Sequence, residues 1–168
     1  MVMQKVITYT PNTATINQDR SYYLTEDEAL FLKVDSNVER GSREADILKK
    51  LNNKYIQKYK KSEVVGGKHH LYTEYFKSTT LENLNPSEED ITKIESQIFS
   101  AYSHMISKRI VHGDINISNV LYNGEDILLI DWETATMGDT ISDLFGPPTV
   151  TNHCGITNTI RMLRERMQ

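Results

Sequence analysis

The chain has 168 residues, of which 38% are hydrophobic and 25% charged, and its formal net charge at pH 7 is −4. This composition is typical of one globular domain or two small lobes, and it excludes disordered and collagen-like proteins. The negative charge argues against a nucleic-acid partner, the single Cys154 excludes an internal disulfide, and no apolar stretch could span a membrane, so we expect a cytoplasmic protein without a membrane partner.

Short runs rich in β-branched and aromatic residues dominate residues 1–78. The runs VITYT, SYYL, ALFLKV and HLYTEY are separated by turn-forming sequences at NQDR, TEDE and GG. One helical stretch, SREADILKKLNNKYIQKY, interrupts them, and the lysine-rich KYIQKYKK is interpreted as its exposed end. We predict a small antiparallel sheet with one crossing helix, forming an N-terminal lobe.

Helical patterns and one hairpin signal characterise residues 79–168. Ser87 and Asp90 form a capping-box-like helix start, and an apolar stripe then continues to about Ser107. The strands VLY and ILLID flank an Asn-Gly pair, which is a strong hairpin signal. After a Gly-Pro-Pro break, GITNTIRMLRERM predicts one last amphipathic helix. We therefore predict a reduced, mainly helical C-terminal lobe.

Three polar residues are expected to converge at the mouth of this hairpin. A hairpin brings the residue before its first strand close to the residue after its second strand, so Asn119 and Asp131 become neighbours. Asp114 precedes Asn119 by five positions. Carboxylate and amide oxygens suit Mg²⁺, which proteins commonly bind together with substrate phosphates. We therefore favour a metal-phosphate site over three unrelated turn or cap residues.

The same residues carry a resemblance to a known superfamily. HGDINISN followed by IDWE resembles the catalytic loop and metal-binding motif of the protein-kinase-like superfamily, whose protein-kinase form is H-R-D-L-x-x-x-N and D-F-G. Gly113 in HGD and the Trp-Glu pair after Asp131 are most similar to the aminoglycoside phosphotransferase and choline kinase branch. IVHGD with the following SN is also similar to the small kinases of the tRNA-modification complex. The resemblance implies an α+β, two-lobed kinase fold in a minimal form.

The resemblance also implies roles for the three polar residues. Asp114 would accept or orient the proton of the attacking hydroxyl, while Asn119 and Asp131 would hold Mg²⁺ against the phosphates of ATP. His112 and Asp143 would be structural members that brace the catalytic loop.

Nucleotide-binding residues are implied in the N-terminal lobe. Lys33 in ALFLKV matches the strand lysine that pairs with nucleotide phosphates, and Glu44 matches its ion-pair partner, although Glu39 lies close in sequence. The backbone from Glu74 to Phe76 would form the hinge that hydrogen-bonds adenine.

Two departures from the family pattern concern the phosphate site. The expected phosphate-covering turn, around residues 17–21, contains no glycine. Glu133 follows the metal-binding motif and is interpreted either as a carboxylate close to the metal or as a surface residue.

Three functions are compatible with these residues. The first is transfer of the γ-phosphoryl group of ATP to a hydroxyl of a small molecule, and the second is a compact serine/threonine protein kinase. The third is a non-catalytic pseudokinase that binds a partner. Only residues 144–168 follow Asp143, which favours a protein acceptor, or an acceptor pocket completed by a second copy of the chain or a partner protein.

Overall fold

The structure of the chain is a computed structural model that describes residues 3–5, 19–138 and 147–167. Its strands are β1 (Met3–Lys5), β2 (Arg20–Thr25), β3 (Leu30–Asp35), β4 (Tyr59–Val65), β5 (Lys68–Glu74), β6 (Thr79–Thr80), β7 (Ile110–Val111), β8 (Val120–Tyr122), β9 (Ile127–Leu129) and β10 (Thr136–Met137). Its α-helices are α1 (Val38–Lys50), α2 (Glu88–Ser107) and α3 (Pro147–Arg166). A sheet with one helix is thus followed by helices and small sheets, which confirms the predicted α+β fold.

A five-stranded antiparallel sheet in the order β1-β2-β3-β5-β4 forms the first part of the chain. The TEDE turn joins β2 to β3, and there the hydroxyl of Thr25 accepts hydrogen bonds from the amides of Ala29 and Leu30. Gly66 and Gly67 make the turn between β4 and β5 with φ angles of 56° and 74°, which glycine adopts without strain. The predicted run VITYT lies outside the described residues.

Helix α1 shares residues 42–50 with the predicted helical stretch, but it begins and ends earlier than predicted. Asn37 caps its start by accepting a hydrogen bond from the amide of Arg40, and the helix ends at Lys50. The prediction that the helix extends through KYIQKY was wrong, because residues 54–58 form a turn and an irregular connection, and strand β4 begins at Tyr59. The consecutive asparagines 52 and 53 are weak helix formers, and the Gly-Gly turn pairs the residues before it with β5.

Helix α2 forms as the sequence indicates. Ser87 and Asp90 make a reciprocal capping box, and the apolar stripe of the helix is buried in the main core of the protein, with Ile91, Ile94 and Ile98 at most 1% exposed. This helix packs against β7, β9 and α3, so it forms the support behind the residues that precede and follow the hairpin.

The β8–β9 hairpin forms with Val120 opposite Leu129 and Tyr122 opposite Ile127. Its loop, residues 123–126, is longer than the Asn-Gly pair alone, because the side chain of Asn123 accepts hydrogen bonds from the amides of residues 125 and 126. Leu129 also exchanges backbone hydrogen bonds with the segment before β4, donating to residue 55 and accepting from residue 57. The hairpin is therefore fixed to the sheet-bearing part of the chain.

Helix α3 begins earlier than expected, at Pro147, before the predicted GITNTIRMLRERM segment. Proline is tolerated in the first turn of a helix, where its missing N–H would have no partner. Ile156, Ile160 and Leu163 pack into the main core. None of the helices in the described residues is long and apolar enough to cross a lipid bilayer.

Candidate active site

The mouth of the β8–β9 hairpin brings three of the predicted site residues together. The backbone oxygen of Asn119 accepts a hydrogen bond from the amide of Ile130 at 3.0 Å, which places Asp131 beside it. The side-chain amide of Asn119 donates to Asp114, at 2.9 Å to its backbone oxygen and 3.1 Å to its Oδ2. The convergence expected from the hairpin is therefore present in the structure.

A second amide side chain, that of Asn116, also holds Asp114. Its Nδ2 donates to Oδ1 of Asp114 at 3.0 Å, while its own Oδ1 accepts from the amide and hydroxyl of Ser118. Both oxygens of the Asp114 carboxylate thus accept amide hydrogen bonds. The sequence analysis missed Asn116, although an asparagine two residues after an aspartate is a common side-chain-to-backbone turn signal.

His112 joins the loop around Asp114 to the strand that leads to Asp131. Its Nδ1 accepts from the amide of Asp114 at 3.1 Å, so the proton lies on Nε2, which donates to the backbone oxygen of Ile130 at 2.8 Å. The ring is fully buried and makes an edge contact with Trp132 at 4.6 Å between centroids. Burial lowers the pKa of His112, which keeps the imidazole neutral.

Two residues of the site adopt left-handed backbone conformations. Gly113 has φ of 90°, and a β-carbon there would lie 3.0 Å from the backbone oxygen of Thr134. Asp131 has φ of 61° without being glycine, and such a conformation costs free energy for most residues. The strain accompanies an aspartate whose carboxylate is directed toward Lys33.

Lys33 projects from β3 into a group of carboxylates. Its Nζ lies 2.8 Å from Glu44 Oε2, 3.2 Å from Glu133 Oε2 and 3.6 Å from Asp131 Oδ1. Burial alone would lower the pKa of this ammonium, but the carboxylates outweigh burial and raise it. Glu44 is the ion-pair partner of Lys33, whereas Glu39, the alternative, is exposed on α1.

Glu133 binds two cations of this site. Its Oε2 accepts from Lys33 at 3.2 Å and from Nη2 of Arg20 at 2.9 Å, and its side chain is only 15% exposed. The surface interpretation of Glu133 was therefore wrong. The sequence analysis did not single out Arg20 within the expected phosphate-covering turn, because no motif or spacing marks a residue that meets its partner only in the folded chain. Asp35 beside it binds the guanidinium of Arg40 through both carboxylate oxygens, at 2.6 and 2.8 Å.

The net negative charge and the carboxylate oxygens of this site suit a divalent cation. Three cationic side chains (Arg20, Lys33 and Arg40) face four carboxylates (Asp35, Glu44, Asp131 and Glu133), which leaves one negative charge uncompensated. The buried Oδ1 of Asp131 has no hydrogen-bond partner in the described part of the chain. Within the same residues, no cluster of three or more histidine, cysteine or acidic side chains could hold a metal alone, so a cation there would need additional ligands.

A cavity of about 280 Å³ lies between the sheet and the hairpin. Its lining includes Leu24, Phe31, Thr73, Phe76, Leu121 and Ile130. The amides of Glu74 and Tyr75 are bound to the backbone oxygens of residues 58 and 29, each at 3.0 Å, whereas the amide of Phe76 has no partner in the described residues. The segment predicted as a hinge therefore borders a cavity lined by both apolar and polar residues, and one of its three amides has no backbone partner in the described residues.

The remaining predicted features fall partly outside the described residues. Asp143 lies there, as do residues 17 and 18 of the expected phosphate-covering turn. Residues 20 and 21 of that turn belong to strand β2, so this part of the prediction was wrong. Strand β2 begins at Arg20, so the connection between β1 and β2 ends at residue 19.

Comparison with known proteins gives one family. The model of the protein kinase domain family matches residues 30–155, three quarters of the chain. This range contains the charged site residues from Lys33 to Glu133 and every cavity-lining residue except Leu24. No curated protein matches the chain.

Proposed function

We propose that this chain, which belongs to the protein kinase domain family, transfers the γ-phosphoryl group of ATP to a hydroxyl group. The observation that carries the proposal is the position of Lys33 within 3.6 Å of Asp131, with Glu44 at 2.8 Å on its other side. The buried ammonium of Lys33 supplies a positive charge for the phosphates. The buried Oδ1 of Asp131, which has no hydrogen-bond partner in the described residues, supplies a negative charge for a metal ion.

Asp114 is the residue that receives the acceptor hydroxyl. Two amide groups orient its carboxylate, and its loop is held to the β8–β9 hairpin through Asn119. In this role Asp114 accepts the hydroxyl proton as the acceptor oxygen attacks the γ-phosphorus. His112 supports the same loop by binding the Asp114 amide.

Asn119 and Asp131 are the residues that would hold Mg²⁺. Both carry oxygen atoms, and they lie at the same end of the hairpin. Mg²⁺ held by these residues would supply positive charge to offset the charge that develops on the phosphoryl group during transfer. Lys33 positions the phosphates from the opposite side, and Glu44 fixes the direction of the lysine side chain.

The 280 Å³ cavity is proposed to bind the adenine ring. The apolar part of its lining, which includes Phe31 and Leu121, suits a flat aromatic ring, and the amide of Phe76, which has no backbone partner in the described residues, is the proposed donor to that ring. Residues 75–78 link β5 to β6 beside this cavity. We therefore infer that the two lobes, residues 1–78 and 79–168, meet at this linker.

A protein serine or threonine is the acceptor that the family match favours. A small-molecule acceptor is the second candidate, because one feature resembles the aminoglycoside phosphotransferase and choline kinase branch. Gly113 replaces the arginine of the protein-kinase motif, and the close approach of Thr134 to Gly113 leaves little room for any side chain.

The decisive experiment is transfer from γ-labelled ATP with Mg²⁺ into a cell extract, separated into protein and small-molecule fractions. An Asp114→Asn variant serves as the control. We expect label in the protein fraction that disappears with the variant. Label confined to small molecules would establish the second candidate, and label in neither fraction would favour a non-catalytic pseudokinase.

A further inference from the structure

We propose that Arg20 is a further phosphate-binding residue of this site, and that the Glu133 carboxylate occupies the position of a phosphate oxygen until a nucleotide displaces it. The inference rests on the proposed function, since it concerns how the same site binds ATP. Arg20 is a residue that the kinase motifs do not contain. The carboxylate of Glu133 is an anion that competes with the nucleotide phosphates and must move away when ATP binds.

The strand register directs Arg20 into the phosphate side of the site. Arg20 is the first residue of β2 and lies opposite Asp35, while Tyr22 lies opposite Lys33. Side chains two positions apart in a strand point to the same face. Arg20 and Lys33 therefore project from the same face of neighbouring strands, and both reach Glu133.

The guanidinium of Arg20 is incompletely paired. Its side chain is 9% exposed, and its buried Nε has no hydrogen-bond partner in the described part of the chain. The Oδ2 of Asp35 lies 3.8 Å from Nε, too far for a hydrogen bond, and Asp35 is already bound at both oxygens by Arg40. A buried N–H donor without a partner is unfavourable, and an oxygen anion would satisfy it.

Glu133 already shows what kind of group binds between the two cations. One oxygen, Oε2, accepts from Lys33 at 3.2 Å and from Arg20 at 2.9 Å. A phosphate oxygen has the same charge and acceptor character, and arginine binds carboxylates and phosphates with the same donor geometry. In the protein-kinase motif a glycine follows the two residues Asp and Phe, so the carboxylate of Glu133 is an addition at that position.

Two of the buried side-chain atoms that have no hydrogen-bond partner in the described residues lie in this site, and they are complementary in sign. The Nε of Arg20 is a donor that requires an anion, and the Oδ1 of Asp131 is an acceptor that suits a cation. A metal-bound triphosphate supplies both. The sequence between β1 and β2, residues 6–19, contains no glycine, the residue that most readily permits a close backbone approach to phosphate. Arg20 supplies positive charge beside this connection.

The test is calorimetric binding of ATP and of adenosine, each with Mg²⁺, to the full chain and to three variants. Arg20→Ala removes the proposed phosphate donor, and Glu133→Gln keeps the size of the side chain but removes its charge. Arg43→Ala is the charge-matched control, because Arg43 is exposed on α1. We expect Arg20→Ala to weaken ATP binding by about tenfold and Glu133→Gln to strengthen it severalfold, with adenosine affinity unchanged in both.

The outcomes distinguish failure of this inference from failure of the proposed function. ATP affinity equal to wild type in folded Arg20→Ala, or weaker ATP binding in Glu133→Gln, would overturn this inference and leave the proposed function standing. A wild-type chain that binds neither ATP nor adenosine would overturn both. Thermal unfolding identifies any variant that fails to fold, and Glu133→Gln then tests the inference by itself.

Discussion

The carboxylate of Glu44 accepts a hydrogen bond from the backbone amide of Trp132 at 3.1 Å, across 88 positions of sequence. Its other oxygen binds Lys33 at 2.8 Å. Trp132 is fully buried in the main core, and its indole N–H donates to the backbone oxygen of Leu129. Through this one side chain, helix α1 fixes both the lysine on β3 and the backbone that follows Asp131.

Glu44→Gln should therefore impair both stability and function. The variant removes the charge that compensates the buried Lys33, and breaking a buried ion pair typically costs about 3 to 5 kcal/mol. The carboxylates of Glu133 and Asp131 still compensate part of the Lys33 charge, so we expect a loss at the lower end of this range. The free energy of unfolding, measured by urea denaturation, should fall by about 3 kcal/mol. Glu39→Gln on the same helix is the matched control, because Glu39 is exposed, and an equal loss in both variants would contradict the prediction.

Asp131→Asn should abolish phosphoryl transfer. The substitution preserves the size of the side chain but removes the negative charge at the buried Oδ1 that has no hydrogen bond. We expect a rate at least about 10²-fold lower in a γ-labelled ATP assay with Mg²⁺. Asp46→Asn, in an exposed residue of α1, should retain the wild-type rate. Normal transfer by Asp131→Asn would exclude Asp131 as a metal ligand.

Gly113→Ala should destabilise the chain more than Gly124→Ala. Both glycines have left-handed φ angles, 90° and 97°, so alanine strains the backbone at each position. Only at Gly113 would the new β-carbon meet a backbone oxygen, that of Thr134 at 3.0 Å, whereas nothing lies within 4 Å at Gly124. The additional loss should be about 1 to 3 kcal/mol in urea unfolding. Equal losses would show that the Thr134 contact relaxes freely.

His112 should make the free energy of unfolding depend on pH. Burial lowers the pKa of His112 in the folded chain below its ordinary value of 6.5. The unfolded chain therefore binds the proton at a higher pH, and stability falls as the pH decreases below about 6.5, by at most about 1.4 kcal/mol per pH unit from this group. Urea unfolding at several pH values should show a shallower decline in His112→Gln. An identical decline in both proteins would exclude this contribution.

Local signals explain which elements the sequence predicted well. The capping box at Ser87 and the hairpin around Asn123 each depend on residues a few positions apart, and both formed. The helix predicted through KYIQKY was wrong because α1 ends at Lys50 and the end of that segment enters strand β4, which is stabilised by pairing with β5. A strand of this kind gains its stability from its neighbour, so the pattern of its own residues indicates it only weakly.

The sequence by itself determined the spacing of Asp114, Asn119 and Asp131, because one loop and one hairpin bring these residues together whatever surrounds them. The tertiary structure decided which charges meet there. Lys33 lies 100 positions from Glu133 in sequence and 3.2 Å from it in space, and Arg20 joins them from another strand. Such contacts depend on how the sheet packs against the rest of the chain, and no local pattern encodes that packing.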